Sequence, residues 1–255
     1  MTVTFGAHGT YFGTGTADPT PTYPTNIGPL SELLLIVMMK PAAANGGSCA
    51  TPAGWTLRGG NTGATDGDTG GYGTGLAADT GNMNLWIFSK DVVNGNESGT
   101  ITVDGTGSNS IVAAIVRLRK SSHGAVTWAS AVGKDTAAGN VSITTGAIDL
   151  AAGDFCFWAM AIPTDVTTPA QFSAHAISQT GSTFGTVTEG LEADNTSGND
   201  MGGYTAYAAV TFTATAGGTT TNVRGPGVLI RARHTGAGVA SLPRPRRRHT
   251  HLIGR

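Results

Sequence analysis

Apolar residues in this chain fall in short runs with period-2 alternation rather than at the 3.6-residue spacing of an amphipathic helix. Segments rich in Gly, Thr, Asn and Asp separate the runs, and the longest of them lies around 59–82. In the first half the runs occupy 3–5, 33–40, 55–57, 83–90, 100–103 and 110–120. Short alternating runs bounded by turn-forming residues predict β-strands. The sequence therefore predicts an all-β protein with long glycine-rich loops.

The composition favours a folded chain of this class. Only 12% of the residues are charged, and 39% are hydrophobic with recurrent β-branched clusters, which is enough to form a core. Because helices that could cover a parallel sheet are not predicted, the strands should pair antiparallel in a β-sandwich or jelly-roll-like body. The pattern leaves open whether there are two tandem sandwiches or one larger body.

The second half of the chain repeats the order of motifs in the first. The matching pairs are VTFG and VTWA, LSELLLIVMMKP and LAAGDFCFWAMAIP, MNLWIFSKDV and GYTAYAAVTF, and AIVRLRK and GVLIRAR. We expect two sequence-related β-sandwich repeats, 1–122 and 123–235, followed by a Pro/Arg-rich basic tail, 236–255. Chance similarity between Thr/Gly/Ala-rich segments is the alternative interpretation.

One turn also occurs twice, as TPAGW at 51–55 and as TPAQF at 168–172. Proline at the second position of a type I turn presets φ, so the turn reverses the chain and delivers an aromatic residue to the next strand. A large ring buries about 150–250 Å². Trp55 and Phe172 are therefore predicted to be core residues, in preference to ligand-stacking residues.

The last strand of each half carries two arginines on one face and two apolar residues on the other. The arginines are Arg117 and Arg119 in the first half, and Arg231 and Arg233 in the second, opposite Val116 and Leu118, and Val228 and Ile230, respectively. Alternation places the apolar residues inward and the arginines on the outer face. A solvated outer face that protects the sheet is the ordinary interpretation of such pairs, and an interface is the alternative.

The sequence shows no catalytic signature. It has no GxSxG elbow, HExxH motif or P-loop, and its two cysteines make no zinc motif. Cys156 lies in an apolar run and is predicted to be a buried thiol, with a bridge to Cys49 as the lesser alternative. Acidic residues that could act in pairs cannot be placed together from the sequence; they are Asp154, Asp165, Glu189 and Glu192. We expect no enzyme activity and no cofactor.

Two segments have the residue types of cation sites. Asp66 and Asp68 have the spacing that begins a calcium loop, but the later acidic ligand is missing, so a surface loop is the favoured interpretation. His249 and His251 would point the same way in an extended strand, and a trimer could gather them around one metal ion. A mobile basic tail or a docking peptide is the favoured interpretation of that segment.

The charge of the C-terminal segment differs from that of the body. Residues 243–255 hold five arginines and no acid, whereas the first 242 residues carry a net charge of −6. An arginine cluster binds polyanions without sequence specificity, so we expect partner docking rather than specific nucleic-acid recognition. The predicted docking residues are Arg244, Arg246, Arg247 and Arg248.

The N-terminus has no basic region followed by an apolar one, and the longest apolar run, 33–39, has seven residues. A secretory signal and membrane insertion are therefore not predicted, because about 20 apolar residues are needed to span a bilayer. We expect synthesis in the cytoplasm, with the protein leaving it only within a larger particle.

The order of motifs resembles a known class of proteins. A short first strand, a polar lead-in to a long apolar strand, the TPAGWT turn, a glycine-rich loop, an aromatic strand and AAIVRLR are similar to structural proteins of tailed bacteriophages. Those proteins are β-sandwich minor tail, fibre or head-decoration proteins. The resemblance implies a virion component, a homo-oligomer that binds other virion proteins or the host surface, and it brings no catalytic residues.

Among virion roles, we expect a tail-associated one, because a duplicated unit is elongated and its basic tail suits an acidic tail component. Capsid decoration or a head fibre is one alternative. A carbohydrate-binding adhesive module is the other, and it would need exposed aromatic residues. Tyr72, in a loop, is the best-placed glycan contact, and the further candidates are Tyr11, Tyr23 and Trp86.

Overall fold

The computed structural model describes residues 2–43, 46–60, 83–135, 148–162, 173–177, 183–198, 201–209, 216–219 and 225–236. These ranges hold thirteen strands and no helix, which confirms the predicted all-β class. The strands are β1 (Val3–His8), β2 (Phe12–Thr14), β3 (Ser31–Pro41), β4 (Thr56–Gly60), β5 (Asn84–Asp91), β6 (Ser108–Lys120), β7 (Gly124–Asp135), β8 (Phe155–Ile162), β9 (Ser173–Ile177), β10 (Thr188–Asn195), β11 (Met201–Ala209), β12 (Ala216–Thr219) and β13 (Gly225–Gly236).

Each half of the chain forms one antiparallel sheet. The first sheet has the order β1-β6-β3-β5-β4, with β2 also paired to β6, and the second has the order β10-β11-β8-β13-β7. Strands β9 and β12 form a separate two-stranded sheet. Buried side chains of both large sheets belong to one shared cluster, so the two sheets pack face to face as a β-sandwich. Jelly-roll connectivity and the sequence relationship of the halves remain predictions.

The two large sheets have the same strand order when the second is read as β7-β13-β8-β11-β10. Their registers also correspond. Val3 lies opposite Lys120 and Val126 lies opposite His234, while the pair Leu33–Arg117 corresponds to the pair Cys156–Arg231. These pairs relate β3 to β8 by an offset of 123 residues. The prolines that end the two matched motifs, Pro41 and Pro163, differ by one residue fewer.

The edge strands β4 and β10 correspond as well, so the strands that follow the two copies of the turn are not equivalent. In β4 the register shifts at Arg58, and in β10 it shifts at Gly190, each at the third residue of the strand. The counterpart of β4 is therefore β10. The strand that follows TPAQF, β9, pairs with β12 instead, and 168–172 itself lies outside the described residues. Trp55 is buried, as predicted, at 6% exposure.

The central strands are buried on both faces. All eleven residues of β3 are buried: Leu34, Ile36 and Met38 face the other sheet, and Leu33, Leu35 and Val37 face an outer cluster that includes Trp55. The second sheet likewise has an outer cluster around Trp158 and Tyr204. A strand covered on both faces has a continuous apolar sequence instead of an alternating one, which accounts for LLLIVMM.

Several predicted strands were confirmed, whereas some short strands were not predicted and one predicted strand is only an isolated bridge. Runs at 3–5, 33–40 and 110–120 lie in β1, β3 and β6, and the run at 83–90 lies in β5 except for its first residue. The predicted strand at 100–103 contributes only an isolated bridge between Thr100 and Thr22. Strands β2, β9, β10 and β12 were not predicted, because they are short or rich in glycine and polar residues and have no clear alternation.

Candidate functional site

Two of the four outer arginines, Arg117 and Arg231, are buried, which corrects the expectation of a solvated face for these two, whereas Arg119 is exposed as expected. Arg117 and Arg231 are each 7% exposed, because loops cover the outer sides of both sheets. Arg117 Nη1 donates to the carbonyl of Asn26, and Arg231 Nη1 donates to the carbonyl of Asp149 at 3.1 Å. The two carbonyls lie 123 residues apart in the sequence, the same offset that relates β3 to β8. Each arginine thus fixes the segment that leads into the strand beside it.

The second sheet has a further ion-pair network on this face. Arg233 binds Asp154 with two hydrogen bonds of 2.8 Å, and its Nη1 donates to Asp149 Oδ2 at 2.9 Å. These hydrogen bonds raise the pKa of Arg233. Asp154 is 2% exposed and also accepts the Ala151 N–H. Asp154, one of the acids considered for catalysis, therefore holds a loop to the sheet.

A polar cluster lies at one end of the sandwich, on the side where the sheets face each other. Glu32 of β3 is directly opposite Asp91 of β5. Lys120 Nζ lies 2.5 Å from Asp91 Oδ1 and 3.8 Å from Glu32 Oε2. The Glu32 and Lys120 side chains are each 3% exposed, whereas that of Asp91 is 58% exposed. We call Glu32, Asp91 and Lys120 the end cluster.

The end cluster holds an excess proton. Burial, and next the charge of Asp91, raise the pKa of Glu32 to about 8, against the opposing effect of Lys120. Glu32 is therefore mostly protonated at neutral pH, and the ion pair of Lys120 is made with Asp91 rather than with Glu32. A buried carboxyl that stays protonated can donate a hydrogen bond, and Glu32 shares one with Asp91.

A histidine adjoins the end cluster. His234 is 7% exposed, and its Nδ1 lies 3.5 Å from Ser121 Oγ. Burial lowers the pKa of His234, and the charge of Lys120 lowers it further. The cluster and this imidazole can take up and release protons, but Glu32 and Lys120 lie below the surface. Glu32 and Lys120 terminate the core as paired polar groups, and their burial gives a substrate no open access to Glu32.

The corresponding positions of the two sheets have different chemistry at this end. Phe5 stacks on Tyr207 with ring centroids 4.3 Å apart. The register makes Trp128 the counterpart of Phe5, and Trp128 packs under the guanidinium of Arg58 at 5.5 Å. Arg58 Nε in turn donates to Ser89 Oγ at 2.8 Å. Phe5 of the first sheet thus stacks on an aromatic ring of the second sheet. Its counterpart Trp128 instead packs on the Arg58 guanidinium, which is held by the Ser89 hydroxyl.

Sequence reasoning missed the end cluster, because Glu32 and Asp91 are far apart in the chain and only strand pairing brings them together. Most of the residues that it did propose as sites lie outside the described residues: Asp66, Asp68, Tyr72, Asp165, Arg244, Arg246, Arg247, Arg248, His249 and His251. Of the other aromatic candidates, Trp86 is 1% exposed and therefore unsuited to stacking on a glycan, and Tyr11 and Tyr23 are half-buried.

The cysteines are both free, on the outer sides of different sheets. Cys156 is fully buried, as predicted. Burial raises the pKa of each thiol to about 12. The described ranges contain no group of three or more His, Cys, Asp or Glu side chains placed to hold a metal ion.

Comparison of the chain with protein-family models, with curated proteins and with solved structures finds no match. In the described part of the chain, no helix has the length and apolar character that crossing a bilayer requires.

Proposed function

We propose that this protein is a structural component of a tailed-bacteriophage virion, in a tail-associated position as a minor tail or fibre protein. The observation that carries the proposal is the way the sandwich uses its charged side chains. Arg117, Arg231 and Arg233 tie covering loops to the two sheets, and Lys120 closes one end of the core. Such a body is built as a rigid scaffold, which is what a virion component needs.

The order of motifs over 1–235 and the sandwich architecture both fit this role. The basic residues Arg244, Arg246, Arg247 and Arg248 follow the last strand in the sequence and are the candidate docking segment. A positively charged segment is attracted to an acidic surface, and the attraction weakens as the salt concentration rises. We therefore propose that the C-terminal segment attaches the sandwich to an acidic component of the particle.

Virion incorporation tests the proposal. Particles made without this protein should lack a tail-associated feature when imaged, and the protein should be present in purified wild-type particles. A protein that is absent from wild-type particles would contradict the virion role. A missing head feature would instead support the capsid-decoration alternative.

The docking step has its own test. Replacing the four arginines Arg244, Arg246, Arg247 and Arg248 by glutamine should abolish incorporation while leaving the unfolding transition unchanged. The matched variant with four lysines keeps the charge and should still be incorporated. Normal incorporation of the glutamine variant would refute the docking role of the segment.

A further inference from the structure

We propose that β7 is a dimerisation strand, through which two copies of this chain join their second sheets by antiparallel edge-to-edge pairing. In the described residues β7 pairs with β13 on one side only. Every second residue of such an edge strand directs its backbone N–H and C=O groups away from the sheet. These groups form a template for another strand.

The register of β7 sets it apart from the other sheet edges. The pairing of β1 shifts at Gly6, that of β4 at Arg58 and that of β10 at Gly190. Bulges of this kind twist an edge and prevent a further strand from pairing with it. The pairing of β7 with β13 runs through twelve residues without a shift. Of these four edges, β7 is the one that stays regular along its length.

The side chains of β7 also allow close approach of another strand. Residues 124–133 contain no charged side chain and consist mainly of small residues. Ala125, Thr127 and Ser130 are exposed, and Val132 is one of three large apolar side chains exposed in the described residues, at 39%. Exposed edge strands usually carry lysine or proline as protection against pairing. In β7 the charges, Lys134 and Asp135, occur only at the end of the strand.

The partner that fits this edge is a second copy of the chain. An antiparallel strand can pair with its own copy across a twofold axis, and because β7 is the one regular edge that the two large sheets show in the described residues, the assembly closes at two subunits. The equivalent edge of the first sheet is broken between β1 and β2, where Thr10 N–H donates to Thr22 Oγ1 at 2.8 Å and Thr22 N–H donates to Thr10 O at 3.3 Å. Because that edge is irregular, further addition of subunits into a fibre is disfavoured.

The solution mass of the full chain, measured at low and at high micromolar concentration, tests the proposal. We expect a dimer at high concentration. The double variants Thr127→Lys/Val132→Lys and Thr127→Glu/Val132→Glu should each be monomeric, because each adds one charge to either face of the edge and the pairing of two copies would place like charges on the same face of the joined sheets. A mixture of the two variants should restore a dimer, since the facing charges are then opposite. Val93→Lys is the control. Val93 is an apolar residue outside the strands, 73% exposed, and this variant should dimerise as the wild type does.

Amide hydrogen exchange of the unmodified chain gives a test that does not depend on how the variants fold. Amides of β7 should exchange more slowly at high than at low concentration, whereas those of β4 should not change. A wild-type monomer at both concentrations would overturn the proposal, as would a dimer that persists in both folded double variants. Exchange in β7 that is equally fast in a solution shown to be dimeric and in one shown to be monomeric would also overturn it. None of these outcomes depends on incorporation into a virion, so the two proposals can fail separately.

Discussion

Glu32 and Asp91 lie opposite each other in the pairing of β3 with β5, and they share a hydrogen bond beside the buried ammonium of Lys120. Two carboxyl groups that share a hydrogen bond cannot both be ionised without a large cost in free energy. The side chain of Asp91 reaches solvent, so the charge resides there and the proton resides on Glu32.

This arrangement predicts that the protein becomes less stable as the pH rises. The pKa of Glu32 is about 8 in the folded state, against 4.5 as the reference for an unfolded chain, so the folded state binds the extra proton. The stabilising contribution is complete below pH 4.5 and is lost as the pH rises towards 8. The loss amounts to at most about 5 kcal/mol, and this figure already includes the opposing effect of Lys120 on the pKa of Glu32.

Urea unfolding at pH 5, 7 and 9 would measure this effect. Glu32→Gln keeps the shape and a hydrogen-bond donor, so its free energy of unfolding should decline less with pH than that of the wild type. The exposed Glu189→Gln is the control and should follow the wild-type profile. Equal slopes for the wild type and Glu32→Gln would show that Glu32 is not the proton-binding group.

Replacing the buried Arg117 should lower the free energy of unfolding more than replacing the buried Arg231. Arg117→Met leaves the Asn26 carbonyl without its donor, and we expect a loss of about 1–3 kcal/mol. Arg231→Met should cost less, because Arg233 still binds Asp149. The exposed Arg119→Met should change stability by less than about 0.5 kcal/mol. Equilibrium unfolding of the three variants provides the measurement, and equal losses for Arg117→Met and Arg119→Met would contradict this role of Arg117.

Gly203 marks a place where the two sheets come too close for a side chain. A Cβ atom there would lie 2.1 Å from Met38 Sδ and 2.9 Å from the carbonyl oxygen of Met160. Gly203→Ala should therefore destabilise the protein by about 1–3 kcal/mol through overpacking. Gly28→Ala is the matched control, since nothing lies within 4 Å of its added methyl group. Thermal unfolding of both variants tests the expectation, and a neutral Gly203→Ala would mean that the sheets can separate there at little cost.

The thiols should be inert in the folded protein. A pKa of about 12 instead of 9 lowers the thiolate fraction of Cys49 and Cys156 at pH 8 by about a thousandfold. A thiol-specific reagent should therefore label neither residue at a significant rate until denaturant is added, after which both should react. Cys49→Ser and Cys156→Ser assign each reaction, and rapid labelling of the native Cys156→Ser variant would show that Cys49 is accessible and ionised.

Much of the scaffold could be predicted from alternation and turn chemistry. The inward positions of Val116, Leu118, Val228 and Ile230 follow from period-2 spacing beside arginines, and all four side chains lie in the shared core. Burial of Trp55 followed from the turn that precedes it. Strand β10 could not be predicted in this way, because its sequence TEGLEADN mixes acids with a bulged glycine and is held in place by pairing with β11.

The sequence by itself determined the all-β class, the main strands and the faces that the last strand of each half presents, because side-chain alternation is a local property of an extended backbone. Only the tertiary structure decided that loops bury Arg117 and Arg231, that Glu32 meets Asp91, and that β7 is left as the regular edge. Each of these features depends on which distant strand or loop lies alongside, and pairing between residues far apart in the chain is not encoded in the local pattern of any one strand.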